Sequence, residues 1–287
     1  MFSGRLLYFK KYNKIKAGLV FVLSFLVNFI IYSFLTDKSI HGFIIAGLIY
    51  VISLFVLFKP DIIVKFIDFF GVEKQIDLEK VQKKIETFLL QDLIKTPRIY
   101  VLNLNCYLLI SISNKGENIL FIDKSLIEDM SDDSLNYLLC TESYKIITKL
   151  SYLYTVTTLF LGYPLILIDL ILMLLNKYKF FIISGFLKNT IGLLMAMVIR
   201  IFYFLFVSKK DLIMTDVYAS KILHSTRGFI DSIKKIDASR SRTNTYFPLS
   251  ISLFLPFSNF AKSYPNRILS FKESANDKIM RINSIIG

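Results

Sequence analysis

Histidine is nearly absent from this chain of 287 residues: His41 and His224 are the two it has. They stand too far apart to form a His-Glu-x-x-His helix, in which two imidazoles one turn apart hold zinc and the glutamate acts as general base. Cysteine is equally scarce. Cys106 and Cys140 are too few for a multi-bridge disulfide framework or a four-cysteine zinc site. There is no tryptophan to stack on bases, and no zinc-finger or RNP-type string. The formal charge of +13 is therefore not read as a nucleic-acid surface.

What the chain has in abundance is apolar sequence. It is 54% hydrophobic, with a mean hydropathy of +0.54. The apolar residues come in long blocks, which reads as bilayer spans rather than one large core. The first expected span covers residues 17–35 and the second 42–58, joined by a short polar turn that holds His41 as a surface residue. The third lies within 150–175 and the fourth within 180–207, with an outer turn at 176–179. Arg5, Lys10, Lys11, Lys14 and Lys16 precede the first span, and Lys209 and Lys210 follow the last. This positive-inside pattern places the N-terminus and the soluble parts in the cytoplasm, against anionic lipid headgroups. Cys106 and Cys140 then face a reducing compartment, where a disulfide is not expected. Asp169 and Arg200 interrupt the last two spans; their expected depths argue against a direct pair and leave two readings, snorkelling toward opposite interfaces or a polar contact inside the bundle.

Four parts follow: an N-terminal transmembrane hairpin at 1–60, a soluble part at 61–149, a second transmembrane hairpin at 150–207, and a second soluble part at 208–287. Within 61–97, Ile76, Leu78, Val81, Ile85, Phe88 and Leu89 recur at helical spacing. Three β-rich runs come next, at 99–102, 107–113 and 119–122, with a turn at Asn114-Lys115-Gly116. A helix is expected from Ser131, which can cap it, with Asp132 and Asp133 at the positive end of its dipole. The expected fold is an α+β membrane protein, mostly helical, with about four transmembrane helices and a small three-stranded sheet.

Residues 139–146 of that helix read Leu-Cys-Thr-Glu-Ser-Tyr-Lys-Ile. Upstream stand Pro97-Arg98-Ile99-Tyr100-Val101, Asn105-Cys106-Tyr107 and Leu-Phe-Ile-Asp-Lys-Ser-Leu-Ile at 120–127. Downstream come the 208–216 string, from Ser208 to Asp216, and Ser263-Tyr264-Pro265 through Arg267-Ile268. In their order and their topology these strings resemble the HtpX-type membrane zinc metallopeptidases, relatives of the CAAX prenyl endopeptidases. The resemblance covers most of the chain. It implies a zincin-like domain in the bacterial cytoplasmic membrane, split by the second transmembrane hairpin. It also implies an edge strand at Ile119, Leu120, Phe121 and Ile122 that pairs with substrate or partner by β-addition.

The departures from the family pattern fall on its chemistry. The two histidine ligands and the glutamate ligand fall on Thr141, Lys145 and Leu212. Glu142 keeps the general-base position, Asp216 keeps the aspartate that closes the second string, and the C-terminal histidine becomes Tyr264. A catalytic zinc needs three protein ligands and an open position for water. An ammonium at position 145, about 4 Å from Zn²⁺, would be repelled by about 8 kcal/mol at an effective dielectric of about 20. Zinc, the cofactor the resemblance implies, is thus expected to be lost; Lys145 then either forms a solvated i, i+3 pair with Glu142 or stands in for the metal by neutralising Glu142, with Asp216 as a second carboxylate in reach. A relocated site built from Cys140, Glu142 and His224 is the alternative within this frame.

Three functions follow as expectations. The first is a membrane-embedded pseudopeptidase that binds or regulates membrane-protein partners without cleaving them. The second is a divergent but active zinc metalloendopeptidase of membrane proteins. The third leaves the resemblance aside: a four-span assembly or immunity factor with a basic cytoplasmic domain.

Overall fold

A computed structural model describes residues 2–36, 39–68, 72–73, 78–89, 94–103, 107–114, 116–238, 249–253 and 275–286. Helices α1 (Phe2–Thr36) and α2 (Ser39–Phe58) form the N-terminal hairpin. α1 begins at Phe2 rather than at residue 17, so Lys10, Lys11, Lys14 and Lys16 are helical and carry the span beyond its apolar block. The hairpin closes tightly where an added Cβ on Gly42 would lie 2.3 Å from the backbone nitrogen of Ser33. Deeper in the pair, the hydroxyls of Ser24 and Tyr50 are 3.1 Å apart.

α3 (Pro60–Asp68) starts on a proline, whose missing N–H is no loss in a first turn. The two-residue strand β1 (Val72–Glu73) and α4 (Glu79–Leu89) follow. On α4, Val81, Ile85 and Leu89 are buried one turn apart, as the spacing requires; Ile76 lies outside the described residues. Strands β2 (Arg98–Leu102), β3 (Leu109–Ser113) and β4 (Asn118–Asp123) are the main body of a small sheet. The β3–β4 turn is held by the Asn114 side chain, whose Oδ1 accepts the N–H groups of Gly116 and Glu117 at 3.0 and 2.6 Å.

The strand order is β1-β2-β4-β3, with β4 parallel to β2 and antiparallel to β3. This corrects one expectation. Ile119, Leu120, Phe121 and Ile122 do not form an edge: both sides of β4 are hydrogen-bonded, and all four side chains are buried. The unbroken apolar run Ile-Leu-Phe-Ile is what a strand covered on both faces needs. β3 and the two-residue β1 stand at the edges instead.

α5 (Lys124–Asp129) and α6 (Asp132–Ile147) come next. Ser131 caps α6 by accepting the Ser134 N–H, and Asp132 and Asp133 sit in its first turn. α6 is buried nearly all round, against the sheet and α4 and against α11 (Lys209–Leu223) and α12 (Arg227–Ala238). α12 crosses α6 so closely that a Cβ on Gly228 would stand 2.3 Å from the Asp133 carbonyl oxygen. Gly228→Ala is therefore expected to destabilise the protein by about 1–3 kcal/mol through overpacking; an unchanged thermal melt would contradict this contact.

The second hairpin is not two straight spans. α7 (Leu150–Phe160) and α8 (Tyr163–Lys177) meet at a 68° bend. Pro164 causes it: its ring would clash with the Phe160 carbonyl in a continuous helix, and it has no N–H to offer. α9 (Phe181–Asn189) and α10 (Ile191–Phe206) complete the hairpin. Among the described residues, Leu6–Thr36, Ser39–Phe58 and Phe181–Phe206 are long and apolar enough to cross a membrane; the bent pair meets the same test when its two helices are taken together, which makes three spans or four. Their exposed faces carry large apolar side chains such as Phe34, Phe43, Ile182 and Leu194. The chain is an integral membrane protein.

Residues 249–253, grouped by sequence with the second soluble part, pack among these helices. Leu249 and Leu253 belong to the same buried cluster as Tyr50, Phe160, Leu165 and Tyr203. Asp169 holds them there. Its carboxylate is fully buried and accepts the Leu249 N–H at 2.7 Å, the Ser250 N–H at 2.8 Å and the Ser250 hydroxyl at 2.6 Å. Asp169 therefore does not snorkel; it binds another segment of its own chain. A last helix, α13 (Ala275–Ile286), packs on α11 and α12.

Candidate functional site

The candidate site lies where α6 passes β3 and α11. Glu142 points at the outer edge of β3. One carboxylate oxygen, Oε2, accepts both the backbone N–H of Ser111 at 3.1 Å and its hydroxyl at 2.6 Å. The other oxygen, Oε1, accepts the Lys145 ammonium, one turn along α6. The two side chains are 4% and 13% exposed, so this is a buried ion pair and not a solvated helix-surface contact. It lies in the regime where the loss of either partner is costly.

The β3 edge is closed further along. The Ser113 N–H donates to the Thr155 hydroxyl of α7 at 3.2 Å, and the Ser113 hydroxyl is 2.5 Å from that of Ser151. Ser111 and Ser113 alternate along the strand, so their N–H groups face away from β4 and toward α6 and α7. These are the donors an incoming extended peptide would need for β-addition. Here side chains of the same chain hold them.

The other motif positions are arranged separately. The Thr141 hydroxyl turns back along its own helix to the Leu138 carbonyl, at 2.7 Å. Asp216, on α11, does not meet Lys145. It accepts the Tyr137 hydroxyl of α6 at 3.1 Å and the Arg281 guanidinium of α13 at 3.0 Å. The reading in which Lys145 neutralises Glu142 thus holds; its reach to Asp216 is corrected, since the cation there is Arg281. Burial, with Asp216 beside it, pushes the Tyr137 phenol well above its ordinary range, so it stays a neutral donor. Leu212 lies on α11 with its side chain outside the described residues, and Tyr264 lies outside them altogether.

Asp211, next to Leu212, is also engaged. It closes a capping box with Ser208 and takes the Lys16 ammonium at 3.0 Å, a buried bridge from α1 to α11. Asn13 of α1 adds a hydrogen bond to the Thr148 carbonyl at the end of α6, at 3.0 Å. The membrane hairpin and the α6–α11 pair are thereby tied directly together.

The relocated site is not assembled. Cys140 is fully buried, and burial pushes its thiol up to about 12, far from the thiolate a nucleophile needs. His224 is exposed at the end of α11, in a left-handed conformation, and His41 is exposed on α2. With Cys106, which lies outside the described residues, replaced by serine, Cys140 is expected to resist alkylation at pH 8 until the protein unfolds. Stoichiometric labelling of the native state, followed by mass spectrometry, would contradict this.

A catalytic zinc does not fit this set of side chains. Thr141 offers a neutral hydroxyl already turned to a carbonyl, and Lys145 offers a cation. Glu142 is held on both oxygens, and Leu212 has no donor atom. Among the described residues, no group of three or more histidine, cysteine, aspartate and glutamate side chains is placed to hold a metal ion.

Sequence reasoning found Glu142, Lys145 and Asp216 but missed their partners Ser111, Tyr137 and Arg281. The signal for Ser111 was present: serines at alternate positions of the otherwise apolar string Leu-Ile-Ser-Ile-Ser mark one polar stripe on a buried strand. No comparable signal announced Arg281, which arrives from the far end of the chain. No family model, no curated protein and no solved structure matches this chain.

Proposed function

We propose that this protein is a membrane-embedded pseudopeptidase: a scaffold similar to that of the HtpX-type zinc metalloendopeptidases, which binds or regulates membrane-protein partners without cleaving them. The observation that carries the reading is the state of Glu142. A general base must face a water and be free to take its proton. Glu142 instead faces the Ser111 N–H and hydroxyl, and its charge is balanced by Lys145. The carboxylate has become a bolt between α6 and β3. In this reading the positive-inside pattern of the first span puts the sheet and α6 on the cytoplasmic side of a bacterial membrane. With the β3 edge closed, partners are met through the membrane helices and the basic surface.

The test is the zinc content of detergent-purified protein, measured by elemental mass spectrometry after loosely bound metal has been removed. Near-zero zinc, together with no cleavage of a denatured membrane-protein substrate on zinc addition, is the expected result. About one zinc per chain, or cleavage abolished by Glu142→Gln, would overturn the proposal.

A further inference from the structure

Three lysines meet where the N-terminal helix passes the start of the bent pair. Lys10 and Lys14 are one turn apart on the same face of α1, which packs along α7. Asn13, beside Lys14, donates to the Thr148 carbonyl at 3.0 Å, and this holds the α6–α7 junction against that turn of α1. The next residue of the junction is Lys149. It is half-buried and stands in the left-handed region, with φ 60° and ψ 21°. A side chain is strained there and glycine is favoured.

These three ammonium groups lack an anion. Lys16, further along α1, is matched by Asp211 at 3.0 Å, and Lys145 is matched by Glu142. Lys10, Lys14 and Lys149 have no carboxylate partner among the described residues. Burial first, and then the like charges of Lys10 and Lys14, push the Lys149 ammonium below its ordinary range. Like charges one turn apart on a helix repel, and a half-buried cation has less water to offset that. The free energy of such a cluster falls when an anion arrives.

Depth selects the anion. Lys14 stands three residues, about 4.5 Å of helix, before the apolar block that opens at Ala17, and Lys10 about 6 Å further out. Lys149 directly precedes Leu150, where the bent pair starts. The cluster thus lies just outside the apolar start of two membrane segments, at the level where a bilayer carries its phosphates. We propose that Lys10, Lys14 and Lys149 bind the headgroup phosphate of one anionic phospholipid where α1 crosses the α6–α7 junction. The sequence pattern alone gives a diffuse attraction between basic flanks and lipid; the fold adds Lys149 and makes a site of defined stoichiometry. The site is independent of whether α6 is catalytic.

The experiment is a titration of the full-length, delipidated protein in detergent with dioleoylphosphatidylglycerol, read by native mass spectrometry. Expected is one lipid retained more tightly than all later ones, with no such step for dioleoylphosphatidylcholine. Lys149→Gly and, separately, Lys10→Gln/Lys14→Gln should each weaken that first lipid by at least about fivefold, the worth of one lysine beside an anionic headgroup. Lys149→Gly also relieves the left-handed backbone, so its melting temperature without lipid should not fall; lost binding is then not lost folding. Lys59→Gln removes an exposed charge at the foot of α2 that is not among those acting on Lys149, and should change the first lipid by less than about twofold. Inorganic phosphate in large excess should not displace the lipid. Equal first-lipid affinity in wild type and the Lys10→Gln/Lys14→Gln/Lys149→Gly variant would overturn the proposal. So would an effect of Lys59→Gln as large as that of Lys149→Gly, which would show diffuse attraction, or displacement by inorganic phosphate, which would show a site for a free anion.

Discussion

Lys145→Met is expected to lower the stability of the protein by about 3–5 kcal/mol, the usual cost of removing one partner from a buried ion pair. The variant keeps most of the side-chain volume and removes the charge, which leaves the Glu142 carboxylate, 4% exposed, without its cation. The Ser111 N–H and hydroxyl still donate to it, but two neutral donors do not balance a buried charge. The double variant Glu142→Gln/Lys145→Met should recover most of the loss, because the amide can still bond Ser111 and no charge is left buried. Thermal unfolding of the three proteins in detergent reads both effects. A Lys145→Met melt equal to wild type would mean that the pair is of the surface kind, worth a few tenths of a kcal/mol. An active peptidase makes the opposite forecast: there, Glu142→Gln abolishes cleavage at little cost in stability.

Asp169→Leu is the second large effect, acting on the membrane half. Three donors from residues 249 and 250 converge on this carboxylate, and hydrogen bonds to a charged acceptor are worth about 1.5–3 kcal/mol each. Desolvation of the carboxylate offsets part of that, so a net loss of about 3 kcal/mol is expected. The loss should be local. The 249–253 segment leaves its place between α7, α8 and α10, while the sheet and α6 keep their packing. Hydrogen exchange at the Leu249 and Ser250 amides should then accelerate about a hundredfold, as a loss of that size implies, with the β3 and β4 amides unchanged. Uniform acceleration across the chain would show instead that the two halves unfold together. Exchange unchanged at all positions would show that Leu249 and Leu253, through their buried apolar contacts, hold the segment without Asp169.

The two variants also separate what was legible in the sequence from what was not. The membrane helices were legible because a bilayer demands a long apolar block, and such blocks are local in sequence. The α6 helix was legible for a similar reason: Ser131, Asp132 and Asp133 announce its start within one turn. The Glu142–Lys145 pair was half legible. Their spacing puts both on one helix face, but a solvated pair has the same spacing as a buried one. The packing of β3, α7 and α11 around α6 decided between them.

The edge placement of residues 119–122 came from the resemblance, and the residues themselves could not check it. An apolar run four residues long marks a buried strand without saying whether it is central or at an edge. The crossover that inserts β4 between β2 and β3 settled that. For Asp169 the sequence left snorkelling and a contact inside the bundle both open, and it is the second that the structure shows; the expected depth had assumed a straight helix. Pro164 bends the helix, and the partner of Asp169 lies about eighty residues further along the chain.

The sequence by itself determined that this is a membrane protein, with blocks of apolar residues for spans and basic residues flanking them. It also determined that no His-Glu-x-x-His string exists, since His41 and His224 are the two histidines of the chain. Both follow from residue chemistry and short-range spacing, which need no folded partner. The tertiary structure alone decided that Glu142 bolts α6 to an edge strand, that Arg281 and not Lys145 answers Asp216, and that a C-terminal segment enters the membrane bundle to meet Asp169. Those outcomes rest on contacts between residues far apart in sequence. Burial makes each of these charges seek whichever donor the fold brings within reach.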